Sequence, residues 1–316
     1  MTTTDSPRVS IGLPVYNGER YLARAVASLL DQTFTNFELI LSDNASTDRT
    51  EEICQAYAAK DQRIRYYRNE RNLGAIRNFN RTFELATGPY FMWASHDDLW
   101  APTFIAKCVD ALDAMPEAII AYPKTVIIDE HGDTVHEYDA RFNTESPFAH
   151  VRFHDLVRTP HKCFQLLGVI RTSVLAKTPL FGSYTSSDIV LLGLLGLMGP
   201  FHELPEALLF YRHHPQQSIR IDRHARMAWA DPGLDTHAAL PQWRLFFELW
   251  GCIQQAPLPW GERLRCYVTM LRWPAWYRNW RRMGKDILRA ALYLLGSLPR
   301  LVRGLIMRRN SHNAPA

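Results

Sequence analysis

The N-terminal part of the chain alternates between two hydrophobic periods. Short runs rich in β-branched and aromatic residues occur at 8–14, 37–43, 63–69, 89–95 and 118–129. Between them, at 20–32, 46–60, 74–88 and 102–116, apolar residues recur at the spacing of an amphipathic helix. We expect Ser46 or Thr47 to cap the second helix and Gly88 to close the third. This alternation predicts an α/β fold with a mostly parallel sheet flanked by helices.

The pattern loosens after the fifth predicted strand. Residues 131–162 are rich in His, Asp, Arg and Pro and predict loops with short elements, whereas the apolar run at 188–198 predicts a helix. From about residue 240 the chain is predicted to be helical, and it is basic and rich in Trp. We therefore place a boundary near residue 235, between an α/β domain at 1–235 and a helical C-terminal region at 236–316.

Polar side chains follow three of the predicted strands. They are Tyr16 and Asn17 after the first, Asp43 at the end of the second, and His96, Asp97 and Asp98 after the fourth. The carboxyl ends of parallel strands meet at one edge of the sheet, and α/β proteins bind their ligands there. We expect the functional site at this edge.

The adjacent carboxylates of Asp97 and Asp98 indicate a cation. Neither a Rossmann glycine fingerprint nor a phosphate-binding P-loop occurs in the sequence. A nucleoside diphosphate bound at this edge would need another source of positive charge, and Mg²⁺ or Mn²⁺ held by carboxylates would provide it. The alternative is that Asp98 caps the next helix and Asp97 is solvated. The spacing alone leaves both interpretations open.

Composition and charge narrow the class of protein. The 316 residues carry a net charge of +4, which is too small to argue for nucleic acid. The five cysteines are scattered without a CxxC pair, so we expect reduced thiols, a cytoplasmic location and no structural zinc site. We predict neither a signal peptide nor a transmembrane helix, because no basic segment followed by an apolar one opens the chain and no long uncharged apolar run occurs.

Four segments resemble the motifs of family 2 glycosyltransferases in the order that the family has them. They cover roughly residues 8–220 and read VSIGLPVYNGERYLARAVASLLDQTFTNFELILSDNASTDRT, NLGAIRNFNRTFELATGPYFMWASHDDLWAP, FGSYTSSDIVLLGLLGLMG and LLFYRHHPQQSI. Each motif alone is loose, but four in order are specific. The resemblance implies a GT-A fold and an inverting enzyme that uses a nucleotide sugar and a divalent metal, Mn²⁺ or Mg²⁺.

The resemblance also implies roles for individual residues. Donor-nucleotide contacts fall on Pro14, Tyr16, Asn17, Glu19, Asp43, which would contact the base, and Arg77. Metal contacts fall on Asp97, the final acid of a D-x-D motif, and on His214, close to the diphosphate. The motif departs from the family at its first position, where Ser95 replaces the acid; Ser95 and His96 are kept as donor contacts, and Asp98 would compensate as a metal ligand.

Asp188 matches the catalytic base of the family, although Ser187 and not Glu precedes it. Without the resemblance, Asp188 would be interpreted as an acid in the first turn of the following helix, which is a common stabilising arrangement. A helix N-terminus also favours the ionised carboxylate that a base requires. His213 and His214 are adjacent, so at most one of them is expected to face a ligand.

The C-terminal stretch at 270–309 interleaves Arg and Lys with Trp, Tyr and Leu, and its only acid is Asp286. This composition favours attachment to an anionic membrane surface. The alternative is a helical subdomain that packs on the catalytic core with solvated arginines. No nucleic-acid-binding motif accompanies the basic residues, so we expect no nucleic-acid partner.

The expected reaction is therefore transfer of a sugar from a nucleotide-diphosphate donor to a hydroxyl of a saccharide or lipid-linked saccharide, in cell-surface polysaccharide or glycolipid synthesis. The expected place is the cytoplasm or the inner face of the cell membrane. Two alternatives stay open, a non-catalytic nucleotide-sugar-binding scaffold and a sugar-phosphate nucleotidyltransferase. The nucleotidyltransferase would be expected to carry a Gly- and Arg-rich loop with a Lys after the first strand, which this chain lacks.

Overall fold

The computed structural model describes residues 6–158, 161–217, 223–230, 240–293 and 295. The strands are β1 (Val9–Val15), β2 (Phe37–Asp43), β3 (Ile64–Arg68), β4 (Tyr90–Trp93), β5 (Leu99–Trp100), β6 (Ile120–Ile128), β7 (Thr134–Tyr138), β8 (Val169–Arg171) and β9 (Phe201–Arg212).

The helices are α1 (Leu22–Leu30), α2 (Thr50–Ala58), α3 (Ala75–Glu84), α4 (Phe104–Ala114), α5 (Ala149–Arg158), α6 (Thr172–Leu175), α7 (Ser187–Met198), α8 (Arg223–Ala230), α9 (Pro241–Gln255) and α10 (Trp260–Arg272). Short 3₁₀ helices span Phe164–Leu167 and Trp273–Arg278. Residues 279–293 form a further helix, here called the C-terminal helix.

The strands form one mixed sheet in the order β3-β2-β1-β4-β8-β6-β9-β5, with β7 paired to β6. β1 pairs in parallel with both β2 and β4, β2 with β3, and β6 with β9, and these ladders hold most of the paired residues. Val15 lies opposite Asp43, so β1 and β2 end side by side. The predicted α/β fold with a mostly parallel sheet is confirmed.

Helices cover both faces of the sheet. Alternate residues of β1, such as Ile11 and Leu13, pack with α1 and α4 into one core, while Phe91 and Trp93 of β4 pack with α7 on the opposite face. α3 approaches β1 so closely that a Cβ built at Gly12 would lie 2.4 Å from Thr82 Oγ1. The glycine therefore sets the distance between α3 and the strand that leads to the predicted site.

A third core joins the C-terminal part of the chain to the rest. Buried side chains of α9 and α10, among them Leu249 and Met270, pack with Phe153 of α5 and Leu194 of α7. The boundary predicted near residue 235 lies outside the described residues. None of the helices that the structure describes is both long and apolar enough to cross a membrane.

Three local predictions are wrong. α3 ends at Glu84 with Leu85 as its C-cap, so Gly88 does not close it. The segment 131–162 was expected to hold loops with short elements, but it contains the ten-residue helix α5, whose buried face includes Phe153 and Leu156. The N-cap of α2 is Arg49 and not Ser46 or Thr47. Asp48 supplies the missing acceptor, because its Oδ1 accepts the Thr50 N–H at 3.0 Å.

Candidate active site

A cavity of about 1040 Å³ opens at the carboxyl edge of β1, β2 and β4, beside the end of β9 and the start of α3. Most of the residues predicted for the site line it, namely Pro14, Tyr16, Asn17, Glu19, Ser95, His96, Asp97 and His214. Asp43, Arg77, Asp98 and Asp188 lie outside the lining. The edge of the sheet that the strand-end pattern indicated is thus the edge at which the cavity lies.

Asp97 and His214 form the central pair of the cavity. The Oδ2 atom of Asp97 lies 2.9 Å from Nε2 of His214, although the two residues are 117 positions apart in the chain. Burial opposes the charge on Asp97, but the nearby His96 imidazole and the hydrogen bond from His214 outweigh it and lower the pKa of the Asp97 carboxyl. The Nδ1 atom of His214 is buried without a described partner, and the ring packs against Tyr21 with 4.9 Å between centroids.

Asp98 lies behind this pair, in contact with the buried Arg212. Its Oδ1 accepts the Arg212 backbone N–H at 2.9 Å, and its Oδ2 is buried without a described partner. Burial and then the charge of Asp97 raise the pKa of Asp98 well above its usual value. The Arg212 guanidinium donates from Nε to the Asp97 carbonyl at 2.9 Å and from Nη1 to the Asp129 carbonyl at 3.0 Å. Arg212 therefore fixes the backbone that carries Asp97.

The loop after β1 and the loop before α2 are bound to each other. The N–H groups of Asn17, Gly18 and Glu19 donate to the side chains of Ser46, Thr50 and Asp48, at 2.8–3.1 Å. In return, Asn17 Oδ1 accepts the Thr47 N–H and Glu19 Oε2 accepts the Arg49 N–H. The side chains of Asn17 and Glu19 thus hold the cavity wall together, and Asn17 adopts a left-handed backbone (φ 51°) to do so.

A group of buried asparagines fixes the opposite wall. Asn78 on α3 accepts from Ser42 Oγ at 2.7 Å and from Asn69 Nδ2 at 3.0 Å, and it donates to the Ser42 carbonyl at 2.8 Å. Asn44 accepts from Asn69 and donates to Asn72. The cavity is lined by Asn44, Asn72 and Asn78, none of which was predicted. Asn44 carried a usable signal, because it directly follows the strand-end residue Asp43.

Two of the predicted nucleotide contacts are placed differently from the rest. Asp43 is fully buried; its Oδ1 accepts the Ser46 N–H and its Oδ2 accepts from Arg68 Nη1 at 2.7 Å and Tyr66 OH at 3.1 Å. Arg77 is exposed on α3 and does not line the cavity. Asp43 is therefore satisfied by its own surroundings, with Arg68 as its charge partner.

Asp188 is the second residue of α7, and its Oδ1 accepts the Ile189 N–H at 3.0 Å. Its carboxyl also contacts the thiol of Cys163, and the imidazole of His161 acts on its charge without a hydrogen bond to it. Burial raises the pKa of Asp188, while the Ile189 amide, His161 and the Cys163 thiol act against the increase. Both Cys163 (φ 54°) and Ser186, the N-cap of α7 (φ 68°), have left-handed backbones, so the chain is strained on either side of this contact.

Aromatic rings form part of the cavity rim. Tyr16 and Trp229 both line the cavity and are 41% and 44% exposed, which leaves ring faces available to a ligand. Trp100, in contrast, is buried and has no face open for a sugar.

His213 does not line the cavity, and its Nε2 lies 2.8 Å from Lys162 Nζ. Of the two adjacent histidines, only His214 faces the cavity. Other lining residues missed from the sequence include Arg20, Tyr21, Asp48, Tyr211 and Gln217.

The charges around the cavity bear on which ligand it can hold. Arg20 is the only Lys or Arg among the described lining residues, and it already pairs with Glu130 at 2.6 Å. Glu19, Asp48 and Asp97 add negative charge. Within the described residues no group of three or more His, Cys, Asp and Glu side chains is arranged to hold a metal. A metal here would therefore have few protein ligands, which is usual for Mg²⁺ bound together with substrate phosphates.

The sequence model of Glycosyl transferase family 2 matches residues 10–174, just over half of the chain. An uncharacterized glycosyltransferase of Rickettsia typhi is 31% identical over 181 residues, which cover 54% of this chain and 56% of that protein. An uncharacterized glycosyltransferase of Haemophilus influenzae is 26% identical over 223 residues, 69% of each chain. The chain thus spans about half of the length of the first of these relatives.

Solved structures share the fold at low sequence identity. The crystal structure of S. aureus TarS 1–349 in complex with UDP has a TM-score of 0.62 and 16% identity, over 86% of this chain and 73% of that chain. The mannosyltransferase PcManGT from Pyrobaculum calidifontis, in complex with GDP-Man and Mn²⁺, has a TM-score of 0.50 and 18% identity, over 92% of this chain and 88% of that chain. These likenesses establish the architecture of the chain.

Proposed function

The chain belongs to Glycosyl transferase family 2, and from this membership we propose that it transfers a sugar, with inversion, from a nucleoside diphosphate to an acceptor hydroxyl. The observation that carries the proposal is the Asp97–His214 pair in a cavity of about 1040 Å³ at the carboxyl edge of the sheet. TarS structures with UDP and UDP-GlcNAc, and PcManGT with GDP-Man and Mn²⁺, support a nucleotide-sugar donor.

The donor nucleotide is proposed to lie between the two walls of the cavity. The backbone of the β1 loop and Tyr16 form one side, and Asn72 offers its amide nitrogen on the other, where Asn44 and Asn78 hold the wall. Asn17 and Glu19 act by holding the wall, since their side chains are used in loop-to-loop hydrogen bonds. Asp43 is proposed to order the same wall through Arg68 and the Ser46 amide. The direct base contact expected for Asp43 stays a prediction.

A divalent cation fits the remaining charge of the site. A diphosphate brings at least two negative charges to a lining whose single guanidinium is already paired. Asp97 and His214 would hold Mn²⁺ or Mg²⁺, which would neutralise the departing nucleoside diphosphate. Asp98 does not line the cavity, so we propose that it does not contact the metal. Instead it would fix the position of Arg212, which in turn binds the backbone of Asp97.

Asp188 is proposed as the base that takes the proton from the acceptor hydroxyl. Burial raises the pKa of its carboxyl, which strengthens it as a base, and the Ile189 amide and the Cys163 thiol keep it oriented. Two contacts link the chain segments around Asp188 to the lining of the cavity. Cys163 follows Lys162, whose Nζ lies 4.7 Å from the ring of the lining residue Tyr211. Phe181, on the segment that leads to α7, packs against Phe79 of the lining with 5.6 Å between centroids.

The acceptor is proposed to be a saccharide or lipid-linked saccharide at the inner face of the cell membrane. Exposed apolar residues of the C-terminal helix (Trp280, Ile287, Leu288 and Leu292) alternate with Arg281, Arg282, Lys285 and Arg289. Rings and cations in this combination suit an anionic bilayer surface. Residues 296–309 of the stretch that motivated this prediction lie outside the described residues. Binding of the full chain to phosphatidylglycerol vesicles at low salt tests the attachment, and a failure to co-sediment would refute it.

Nucleotide-dependent thermal stabilisation tests the donor site. The melting temperature is measured with UDP, dTDP, GDP and CDP, each with and without Mn²⁺. A ligand at 100 times its Kd adds about 2.7 kcal/mol. At about 2.1 cal/mol/K of unfolding entropy per residue, this corresponds to roughly 4 °C for a chain of this length. We expect one nucleotide to produce the shift with Mn²⁺, and Asp97→Ala to abolish it. Asp110→Ala, which removes an exposed acid on α4, is the matched control.

The outcome also separates the two alternatives. A donor that binds and is never turned over with any acceptor would favour the non-catalytic scaffold. Release of pyrophosphate from a nucleoside triphosphate and a sugar phosphate would favour the nucleotidyltransferase.

Asp188→Asn should keep the nucleotide-induced shift and lose transfer, because the amide cannot take the proton. Transfer at the wild-type rate by this variant would refute the assignment of the base.

A further inference from the structure

A second cavity, of about 310 Å³, lies between α5 and α10. Its lining, which shares no residue with the first cavity, includes His150 and His154 from α5 and Arg265, Val268, Thr269 and Arg272 from α10. We call it the α5–α10 groove. Its position in the third core, where the C-terminal helices pack on α5, separates it from the Asp97–His214 pair.

Two guanidinium groups mark the ends of the groove. Arg265 and Arg272 are seven residues apart on α10, so they lie on the same face, about 10.5 Å apart along the axis. The guanidinium of Arg265 donates to Glu262 at 3.1 Å, and the guanidinium of Arg272 makes no hydrogen bond or ion pair with any described residue. No carboxylate is part of the lining. Thr269 lies on the same face of α10, between the two arginines.

Each of the two imidazoles of α5 has a carboxylate within hydrogen-bond distance of its Nδ1 atom. Nδ1 of His150 lies 2.9 Å from Glu262, and Nδ1 of His154 lies 3.0 Å from Asp155. Nε2 of each ring has no partner among the residues that the structure describes. Paired histidines with carboxylate partners also occur in metal sites. The guanidinium of the unpaired Arg272 in the same lining repels a metal ion, so the groove favours an anion.

An exposed apolar strip runs beside the groove. It consists of Trp260, Leu264, Val268 and Leu271 of α10, which follow one another at helical spacing and are between 40% and 72% exposed. Val268 belongs both to the strip and to the lining of the groove. A cationic groove that borders uncovered apolar side chains matches the two chemistries of a phospholipid, a phosphate beside an acyl chain.

We propose that the α5–α10 groove binds the phosphate group of an anionic phospholipid, with the apolar strip against its acyl chains. The inference deepens the proposed membrane attachment and rests on it. The planar fork of an arginine matches phosphate oxygens, and Arg272 is available for this contact. Inorganic phosphate offers the same oxygens but would leave the strip uncovered, and this difference allows the two sources of phosphate to be told apart.

Calorimetric titration of the full chain tests the groove with three soluble probes at equal ionic strength: dihexanoyl phosphatidylglycerol below its micellar concentration, dihexanoyl phosphatidylcholine and sodium phosphate. We expect saturable binding of phosphatidylglycerol, weakened at least tenfold in the double variant Arg265→Gln/Arg272→Gln. The matched control Lys60→Gln/Lys177→Gln removes two positive charges from exposed positions of the α/β domain, away from the groove and the C-terminal helix, and should change binding less than twofold. Leu271→Ser should weaken binding of the lipid but not that of sodium phosphate.

Three results would overturn the proposal: no saturable binding of phosphatidylglycerol, equal losses in the two double variants, or sodium phosphate binding as tightly as the lipid. Melting temperatures establish that each variant is folded. The variant Arg265→Lys/Arg272→Lys keeps both charges but not the planar guanidinium groups, and it should therefore also lose affinity for phosphatidylglycerol. The Mn²⁺-dependent shift with nucleotide should be unchanged in all groove variants. If the wild-type chain binds no lipid but shows the nucleotide shift, the groove is refuted and the proposed transferase is not. If the wild-type chain binds lipid but shows no nucleotide shift, the proposed transferase is refuted and the groove is not.

Discussion

Replacement of Asn78 by alanine should loosen the wall between β2 and α3. The side chain of Asn78 is buried, and it makes three hydrogen bonds, two to Ser42 and one to Asn69. Alanine keeps the helix and removes all three. The perturbation therefore isolates the polar contribution of one side chain to the cavity wall.

The expected loss follows from those contacts. A buried hydrogen bond between neutral groups contributes about 1 kcal/mol net, and a partner left unsatisfied in the interior costs about 1–3 kcal/mol. Asn69 keeps its bond to Asn44, so it is only partly orphaned. Ser42 is fully buried in β2 and loses both of its contacts to Asn78. We therefore expect Asn78→Ala to lower the free energy of unfolding by about 2–4 kcal/mol.

Urea denaturation followed by tryptophan fluorescence measures this loss. Arg77→Ala is the matched control, because Arg77 precedes Asn78 on the same helix and is exposed, so its free energy of unfolding should change by less than about 0.5 kcal/mol. Asn80→Ala should give an intermediate loss, since Asn80 makes two hydrogen bonds to the Phe181 backbone. If Asn78→Ala unfolds at the same urea concentration as Arg77→Ala, the asparagine network does not hold the wall.

Two further predictions concern the fold and the base. Gly12→Ala should lower the free energy of unfolding by about 1–3 kcal/mol, because the new Cβ would meet Thr82 Oγ1 at 2.4 Å. The control Gly251→Ala has nothing within 4 Å of the new Cβ and should raise the free energy of unfolding by up to about 1 kcal/mol. Thermal denaturation measures both variants, and equal effects would contradict the close approach of α3 to β1. Cys163→Ala removes a thiol that opposes the raised pKa of Asp188, so the acid limb of the pH–rate profile should move to higher pH, while Cys163→Ser should restore it. An acid limb at the wild-type pH in the alanine variant would show that the thiol does not act on the base.

The N-terminal half of the sheet could be predicted from the sequence because its strands and helices carry strong local signals. β1 and β2 are apolar runs with polar residues at their carboxyl ends, so their hydrophobic period also located the cavity. α5 carried a comparable signal, since Phe153, Leu156 and Val157 are spaced as on a helix, but the polar composition around it favoured loops. The helical spacing of these apolar residues was therefore overlooked, although α5 buries Phe153 and Val157 against α7 and α10.

β9 shows what the sequence does not contain. Its segment FHELPEALLFYR has helix-favouring residues and a proline, yet it forms a twelve-residue strand because β6 pairs with it along its length and β5 pairs at its end. Such pairing is non-local and overrides propensity. The same holds for the contact between Asp97 and His214, which β9 creates by bringing His214 back to the end of β4. Here the resemblance to the family indicated both residues, whereas periodicity indicated only Asp97.

The mutual hydrogen bonds between the loop after β1 and the loop before α2 bear on how the enzyme could be re-engineered. Backbone amides of Asn17, Gly18 and Glu19 find their acceptors in the other loop, and two side chains return the contact. A loop grafted alone from a relative with a different donor would bring amides without their acceptors. We therefore expect an exchange of donor preference between such enzymes to require both loops as one cassette, with the acceptors Ser46, Asp48 and Thr50 included.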